Sequence, residues 1–147
     1  MKKLSADDCW PVMIEFLLSQ KSWWVAMCAE FDLTPMQGHA VRSIDPEKPV
    51  PMSALAEELA CDASNITGIV DKLEARGLAA RRADETDRRI KVLVLTDKGR
   101  HLREKLWART METPRAVTAL PEETRRRLAE ALSAVLEERL AEEAAKR

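Results

Sequence analysis

The sequence predicts a mainly α-helical fold that carries one small β-hairpin. Three observations lead there. Apolar residues recur at helical spacing toward both ends of the 147-residue chain, and a single alternating run, Ile90 to Leu95, has the two-residue period of a strand. Pro35, Pro114 and Pro121 stand where helices begin or end rather than inside the apolar stripes. With 46% hydrophobic and 33% charged residues, the chain can bury a core beneath a heavily charged surface. The expected organisation is one structural domain: a helix over 1–33, a central region over 34–95, and terminal helices over 96–147.

The first helix is expected from Asp8 to Phe31, with apolar residues at 14, 17, 18, 24, 25, 28 and 31. Pro11 falls in its first turn, where a missing N–H is tolerated. Trp10, Trp23 and Trp24 widen the apolar surface beyond one stripe, so this helix needs more than one neighbour, and a second subunit is one candidate. Thr34-Pro35-Met36-Gln37 is a capping box with proline in the first turn, opening a helix that runs to about Ser43. The proline-rich segment Asp45 to Pro51 then cannot be helical.

Ser53 to Ala60 is expected as a short helix with Leu55 and Leu59 inward. Cys61-Asp62 breaks the chain, and a second helix runs from Ala63 to Arg76 on the stripe Ile66, Ile69, Val70 and Leu73. Asp62 is its N-cap and Gly77 its left-handed stop. Leu78 to Arg82 and Ile90 to Leu95 are the arms of the hairpin, and Ala83 to Arg89 its charged tip. In the second arm Ile90, Val92 and Val94 share one face, while Lys91, Leu93 and Leu95 share the other. Thr96 caps a helix to about Thr113, with Leu102, Leu106 and Trp107 as inward candidates. The last helix starts at Pro121 and carries a stripe of Leu128, Ala131, Leu132, Val135, Leu136 and Leu140.

Charge is distributed unevenly. The net charge is −1, yet Lys72 to Lys105 holds eleven basic against six acidic side chains. Apolar runs are too short to span a bilayer, and MKKLSADDCW lacks the apolar block of a secretory leader. Cys9, Cys28 and Cys61 have no C-x-x-C spacing, as expected of reduced thiols in a cytoplasmic protein. Catalytic residues, metal ligands and cofactors are not expected. His39 and His101 are the only histidines, neither in a ligand spacing, and four glycines form no phosphate-binding loop.

A short helix, a tight turn, a capped helix and a basic hairpin together make a winged helix-turn-helix, with N- and C-terminal dimerisation helices around it. In that arrangement the second helix enters the DNA major groove and the hairpin follows the flanking backbone. Arg81, Arg82, Arg88, Arg89 and Lys91 would concentrate positive charge on the wing, giving salt-dependent affinity by counterion release. Ser64, Asn65, Thr67, Gly68, Asp71 and Lys72 form the outward face of the second helix. Asn65 suits an adenine edge.

The stretch CDASNITGIVDKLEARGLAARRADETDRRIKVLVLTDKGRHL resembles the core of the MarR family of bacterial transcriptional regulators. VDKLEARGL, the tip Asp87-Arg88-Arg89 and VLVLTDKG carry the likeness over about 45 residues. It implies an obligate homodimer with interleaved terminal helices, binding double-stranded DNA at a palindromic operator whose half-sites lie about one helical turn apart. It implies that Arg89 enters the minor groove, with Asp87 holding its guanidinium. Ser64 and Thr67 match the family's hydroxyl positions. Gly68 departs from the pattern, since arginine or lysine is frequent there.

The resemblance also implies repression released by a small aromatic or phenolic ligand in a crevice between the dimer helices and the DNA lobe. Trp23, Trp24, Met27, His39 and Arg42 are the candidates, combining apolar walls with a cationic anchor for an anionic effector. Cys9, near the start of the first helix, is the candidate for the alternative of a thiol-based oxidant sensor. The chain has no tyrosine to hydrogen-bond such a thiolate. A winged-helix module that binds protein is the other alternative, and it predicts binding that ignores salt and wing charge.

Overall fold

The fold is that of a computed structural model, which describes residues 5–145. Its described residues fall into two compact units that divide after Thr110. In the first, a 3₁₀ turn at Ala6–Asp8 leads into α1 (Cys9–Glu30), followed by α2 (Pro35–Ser43), β1 (Val50–Pro51), α3 (Met52–Glu58), α4 (Ala63–Ala75), β2 (Ala79–Ala83), β3 (Lys91–Leu95) and α5 (Asp97–Thr110). The second contains α6 (Arg115–Thr118) and α7 (Glu122–Ala145).

Local chemistry sets most of the boundaries. Thr34 Oγ1 accepts from the Gln37 amide at 3.3 Å, and Gln37 Oε1 accepts from the Thr34 amide at 2.9 Å. This is the reciprocal box, and it lets Gln37 be buried without an orphaned polar group. Asp62 caps α4 by accepting from the Asn65 amide at 2.8 Å. At the other end Gly77 takes φ +66°, a left-handed conformation that stops the helix and turns Leu78 into the core.

The core of this unit gathers Met27, Cys28, Val41, Ile44, Leu55, Ile66, Val70, Leu73, Leu78, Leu93, Leu95 and Leu106. Only the last turns of α1 reach it. Earlier on that helix Trp10, Phe16, Leu17, Leu18 and Val25 stay exposed, so much of its broad apolar surface lies outside the core of this unit. In α4 the inward stripe is Ile66, Val70 and Leu73, with Ile69 half-buried at its edge. Burial of Cys28 pushes its thiol pKa up, as for a packed rather than a reactive group.

Several boundaries differ from the sequence expectation. The proline-rich segment ends in a two-residue strand, β1, and the sheet order is β1-β3-β2, all antiparallel. Val50 pairs with Leu93 and Pro51 with Val92, so the proline sits on an edge, where a missing donor is tolerated. Both faces of β3 are partly covered: Val92, Leu93 and Leu95 are buried and Val94 is half-buried. Helix α5 stops at Thr110 rather than near Thr113. Trp107 is not inward but 49% exposed, because a step of about 100° from buried Leu106 carries it off the core side.

Helix α5 packs on α2 and β3, so it belongs with the first unit and not with the helices that follow. Its start is locked to the end of α4. Thr96 Oγ1 donates to the Gly77 carbonyl at 2.6 Å and accepts from the Gly99 amide at 3.0 Å. Gly99 lies so close to the Leu78 carbonyl that an added Cβ would stand 1.8 Å from that oxygen. In the second unit, Leu128, Leu132, Val135, Leu136 and Leu140 of α7 are all exposed. On the charged side of α7, Arg126 and Arg127 pair with Glu123, and Arg126 also pairs with Glu130.

Candidate nucleic-acid interface

Ser64, Asn65, Thr67, Gly68, Asp71 and Lys72 are all exposed on α4, on the side away from its core stripe. Several of their polar groups are already held. Ser64 Oγ donates to Asp62 Oδ1 at 2.7 Å, Asn65 Nδ2 to Asp62 Oδ2 at 3.1 Å, and Thr67 Oγ1 to the Ala63 carbonyl at 2.7 Å. The cap therefore orients the first turn of the helix as well as ending it. The Asn65 amide, and after it the Ser64 hydroxyl, hold the Asp62 carboxyl below the usual carboxylate range.

Arg81 does not stand free on the wing. Its backbone N–H donates to Glu74 Oε1 at 2.7 Å, and its guanidinium pairs with Glu74 Oε2 and with Asp71 Oδ1, the latter at 2.7 Å. The same guanidinium donates to the Thr67 carbonyl at 3.2 Å. Arg81, expected as a phosphate neutraliser, is held in this structure as a clamp between β2 and α4. It also offsets the two acids that this helix would otherwise present to a polyanion.

The tip of the wing is organised by Asp84, which sequence reasoning did not single out. Its Oδ1 accepts from the amides of Thr86 and Asp87 at 2.8 and 3.0 Å and from the Thr86 hydroxyl. That hydroxyl first, then the two amides, hold the Asp84 carboxyl below its ordinary range. Asp followed two residues later by Thr at a hairpin tip is the available sequence signal for such a turn. Asp87 Oδ1 accepts from the backbone N–H of Arg89 at 2.9 Å, not from its guanidinium. The carboxylate thus sets the path of the main chain, and the arginine side chain is left unengaged. Among the described residues, the guanidinium groups of Arg82, Arg88 and Arg89 make no hydrogen bond or ion pair, and all three residues are exposed.

The residues expected to line a crevice do come together in part. His39 stacks on Trp24 with ring centroids 4.5 Å apart, and the Arg42 guanidinium carbon lies 5.8 Å from the Trp24 ring centroid. Trp24 Nε1 donates to the Pro35 carbonyl at 3.3 Å, and Trp23 leans on Trp24 at 6.5 Å. Met27 does not join them as a wall. It is buried in the core beside the Thr110 hydroxyl. Cys9 is exposed at the start of α1. Among the described residues no group of His, Cys, Asp and Glu could hold a metal ion, and no helix is long and apolar enough to cross a membrane.

The chain matches the model of the MarR family over residues 33–91, the span from the end of α1 to the start of β3. It is 26% identical over 127 residues to YfiV of Bacillus subtilis (strain 168), an uncharacterised HTH-type transcriptional regulator, covering 86% of this chain and 79% of that protein. A probable transcriptional regulator from Pseudomonas aeruginosa is 31% identical, with 83% of this chain and 96% of that one covered, at a TM-score of 0.61. A MepR variant from Staphylococcus aureus, bound to an oligodeoxyribonucleotide, has the same fold at 20% identity and a TM-score of 0.65, covering 92% and 99% of the two chains. With a helix-turn-helix, a basic wing and these relatives, the chain belongs to the MarR family, whose members are DNA-binding transcriptional regulators rather than enzymes.

Proposed function

We propose that the chain acts as a homodimeric repressor that binds a palindromic operator and is released by a small aromatic or anionic ligand. The observation that carries the DNA part is the wing: three exposed guanidinium groups, Arg82, Arg88 and Arg89, with no partner among the described residues. Cations kept unpaired in this way are suited to phosphates and to a narrow minor groove. In this reading Arg89 enters the minor groove, and Ser64, Asn65, Thr67, Gly68 and Lys72 face the major groove. Arg81 positions α4 against the wing instead of contacting phosphate.

Dimerisation is supported by the uncovered apolar residues of α1 and of α7, each too extensive a surface for a soluble monomer. Release by ligand is supported by the Trp24–His39–Arg42 group, an aromatic surface next to a cation. The test is a footprint on DNA upstream of the chain's own gene, with a salt titration and a sizing measurement on the same protein. Dimeric protein that protects a palindrome, with affinity falling steeply as salt rises, is the expected result. Folded, dimeric protein that protects nothing there at moderate salt would sink autoregulation, and salt-independent binding to a protein partner would favour the interaction-module alternative.

A further inference from the structure

A shallow hollow of about 410 Å³ opens on the outward side of α4. Met36, Cys61 and Ile69 supply its apolar lining, Ser64, Asn65 and Lys72 its polar one, and Gly68 completes it. Gly68 lies two residues, or about 200°, around the helix from buried Ile66, and so opposite the core. A Cβ added to it would meet no heavy atom within 4 Å. Any side chain at this position would therefore project into open space at the hollow, and glycine keeps that space clear.

We propose that this hollow receives the C5-methyl edge of a thymine, which makes Gly68 a specificity-determining residue. The inference rests on the reading of α4 as the helix that faces the major groove. There, base pairs present hydrogen-bond donors, acceptors and a single kind of apolar group, the thymine methyl. The apolar part of the lining, Met36, Cys61 and Ile69, complements that group. A guanine or cytosine edge placed over Met36, Cys61 and Ile69 would lose water without gaining a partner from those three side chains. The volume exceeds one methyl group and admits the pyrimidine edge that carries it. On the polar side, Asn65 gives one N–H to Asp62 and keeps its carbonyl and second N–H, the pair that matches an adenine edge. The hollow and Asn65 together select an A·T-containing step.

The test uses the full chain to enrich duplexes from a random library. Each thymine of the enriched sequence is then replaced by deoxyuridine, which removes only the methyl group. At one thymine position the affinity should fall about four-fold, the factor expected for one buried methyl group. In Gly68→Ala, the difference between thymine and uracil at that position should shrink, because the new Cβ takes part of the space that glycine leaves clear for the methyl. An enriched duplex that binds equally well with uracil at every thymine overturns the proposal. So does a Gly68→Ala variant that keeps the full preference for thymine. If no sequence is enriched over bulk DNA, the assignment of α4 to the groove has failed first, and that outcome is distinct from a bound duplex indifferent to the methyl.

Discussion

Glu74 on α4 is held twice by Arg81 on β2: one carboxylate oxygen accepts the Arg81 backbone N–H at 2.7 Å and the other pairs with its guanidinium. Main chain and side chain of one residue thus grip a single carboxylate, and Asp71 is joined to the same guanidinium. A lysine could not reproduce this fork. The wing and α4 are therefore tied together through this one residue.

Arg81 and Arg89 should consequently fail in different ways. Arg89→Ala is expected to lower DNA affinity and to reduce the slope of log affinity against log salt by about one unit. Arg81→Ala should lower affinity while leaving that slope nearly unchanged. It should also cost about 1 kcal/mol of stability, since both partners are only partly exposed. Fluorescence anisotropy across a salt series separates the two, and equal slope changes would return Arg81 to the set of phosphate contacts.

Two glycines predict opposite results on substitution. Gly68 sits in open space inside a helix, so Gly68→Ala should raise the unfolding free energy by about 1 kcal/mol. Gly99 faces the Leu78 carbonyl at a distance no Cβ tolerates, and Gly99→Ala should destabilise by about 2–3 kcal/mol as the backbone shifts. Urea denaturation measures both. A Gly99→Ala protein as stable as the parent would contradict the close approach of α5 to the turn after α4.

Acid should weaken the fold through His39. Burial first, and the charge of Arg42 second, hold its pKa below the ordinary imidazole value of 6.5. As pH falls through about 6.5, the unfolded chain takes up a proton that the folded chain refuses, so stability drops. The loss levels off once pH passes below the folded value. His39→Gln removes this component, and urea midpoints between pH 7.5 and 5 should then vary less than in the parent chain. The same dependence in both proteins would show that another group is responsible.

Asp84 should control the order of the wing tip rather than the affinity of any one contact. Asp84→Ala releases the amides of Thr86 and Asp87, which should exchange with solvent faster while those of α4 do not change. Because its carboxyl is held below the usual range, the parent wing should keep this order until the pH falls through that depressed value. Amide exchange resolved by residue is the measurement, and unchanged rates at the tip would rule out the fastening.

What could be read from the sequence was what neighbouring residues decide among themselves. The Thr34–Gln37 box, the Asp62 cap, the Gly77 stop and the strand period of Ile90 to Leu95 involve partners a few residues apart, and the structure has all four, with the strand starting at Lys91 and Ile90 left exposed outside it. Strand β1 was hidden because its two residues are made a strand only by β3, some forty positions later. The destination of Arg81 was hidden for a similar reason. Read in line, it looks like one more cation of a basic run, and only the turn at Gly77 brings β2 back along α4 to Glu74. The bond from Asp87 to the Arg89 main chain was missed because a two-residue spacing suits a side-chain pair and a backbone turn equally well.

Arg76, at the C-cap of α4, donates to the carbonyls of Phe31 and Asp32 just beyond the end of α1, where Asp32 holds φ +55°. The two helices are thereby geared, and the rotational phase of α1 about its own axis is tied to the heading of α4. Any partner that grips the apolar side of α1 inherits that phase. One residue inserted into α1 between the gripped surface and Phe31 would turn that surface by about 100° relative to α4 and would carry the Trp23 and Trp24 contacts with the core along with it. The heading of α4 relative to the apolar side of α1 thus depends on the count of residues that leads to this one guanidinium.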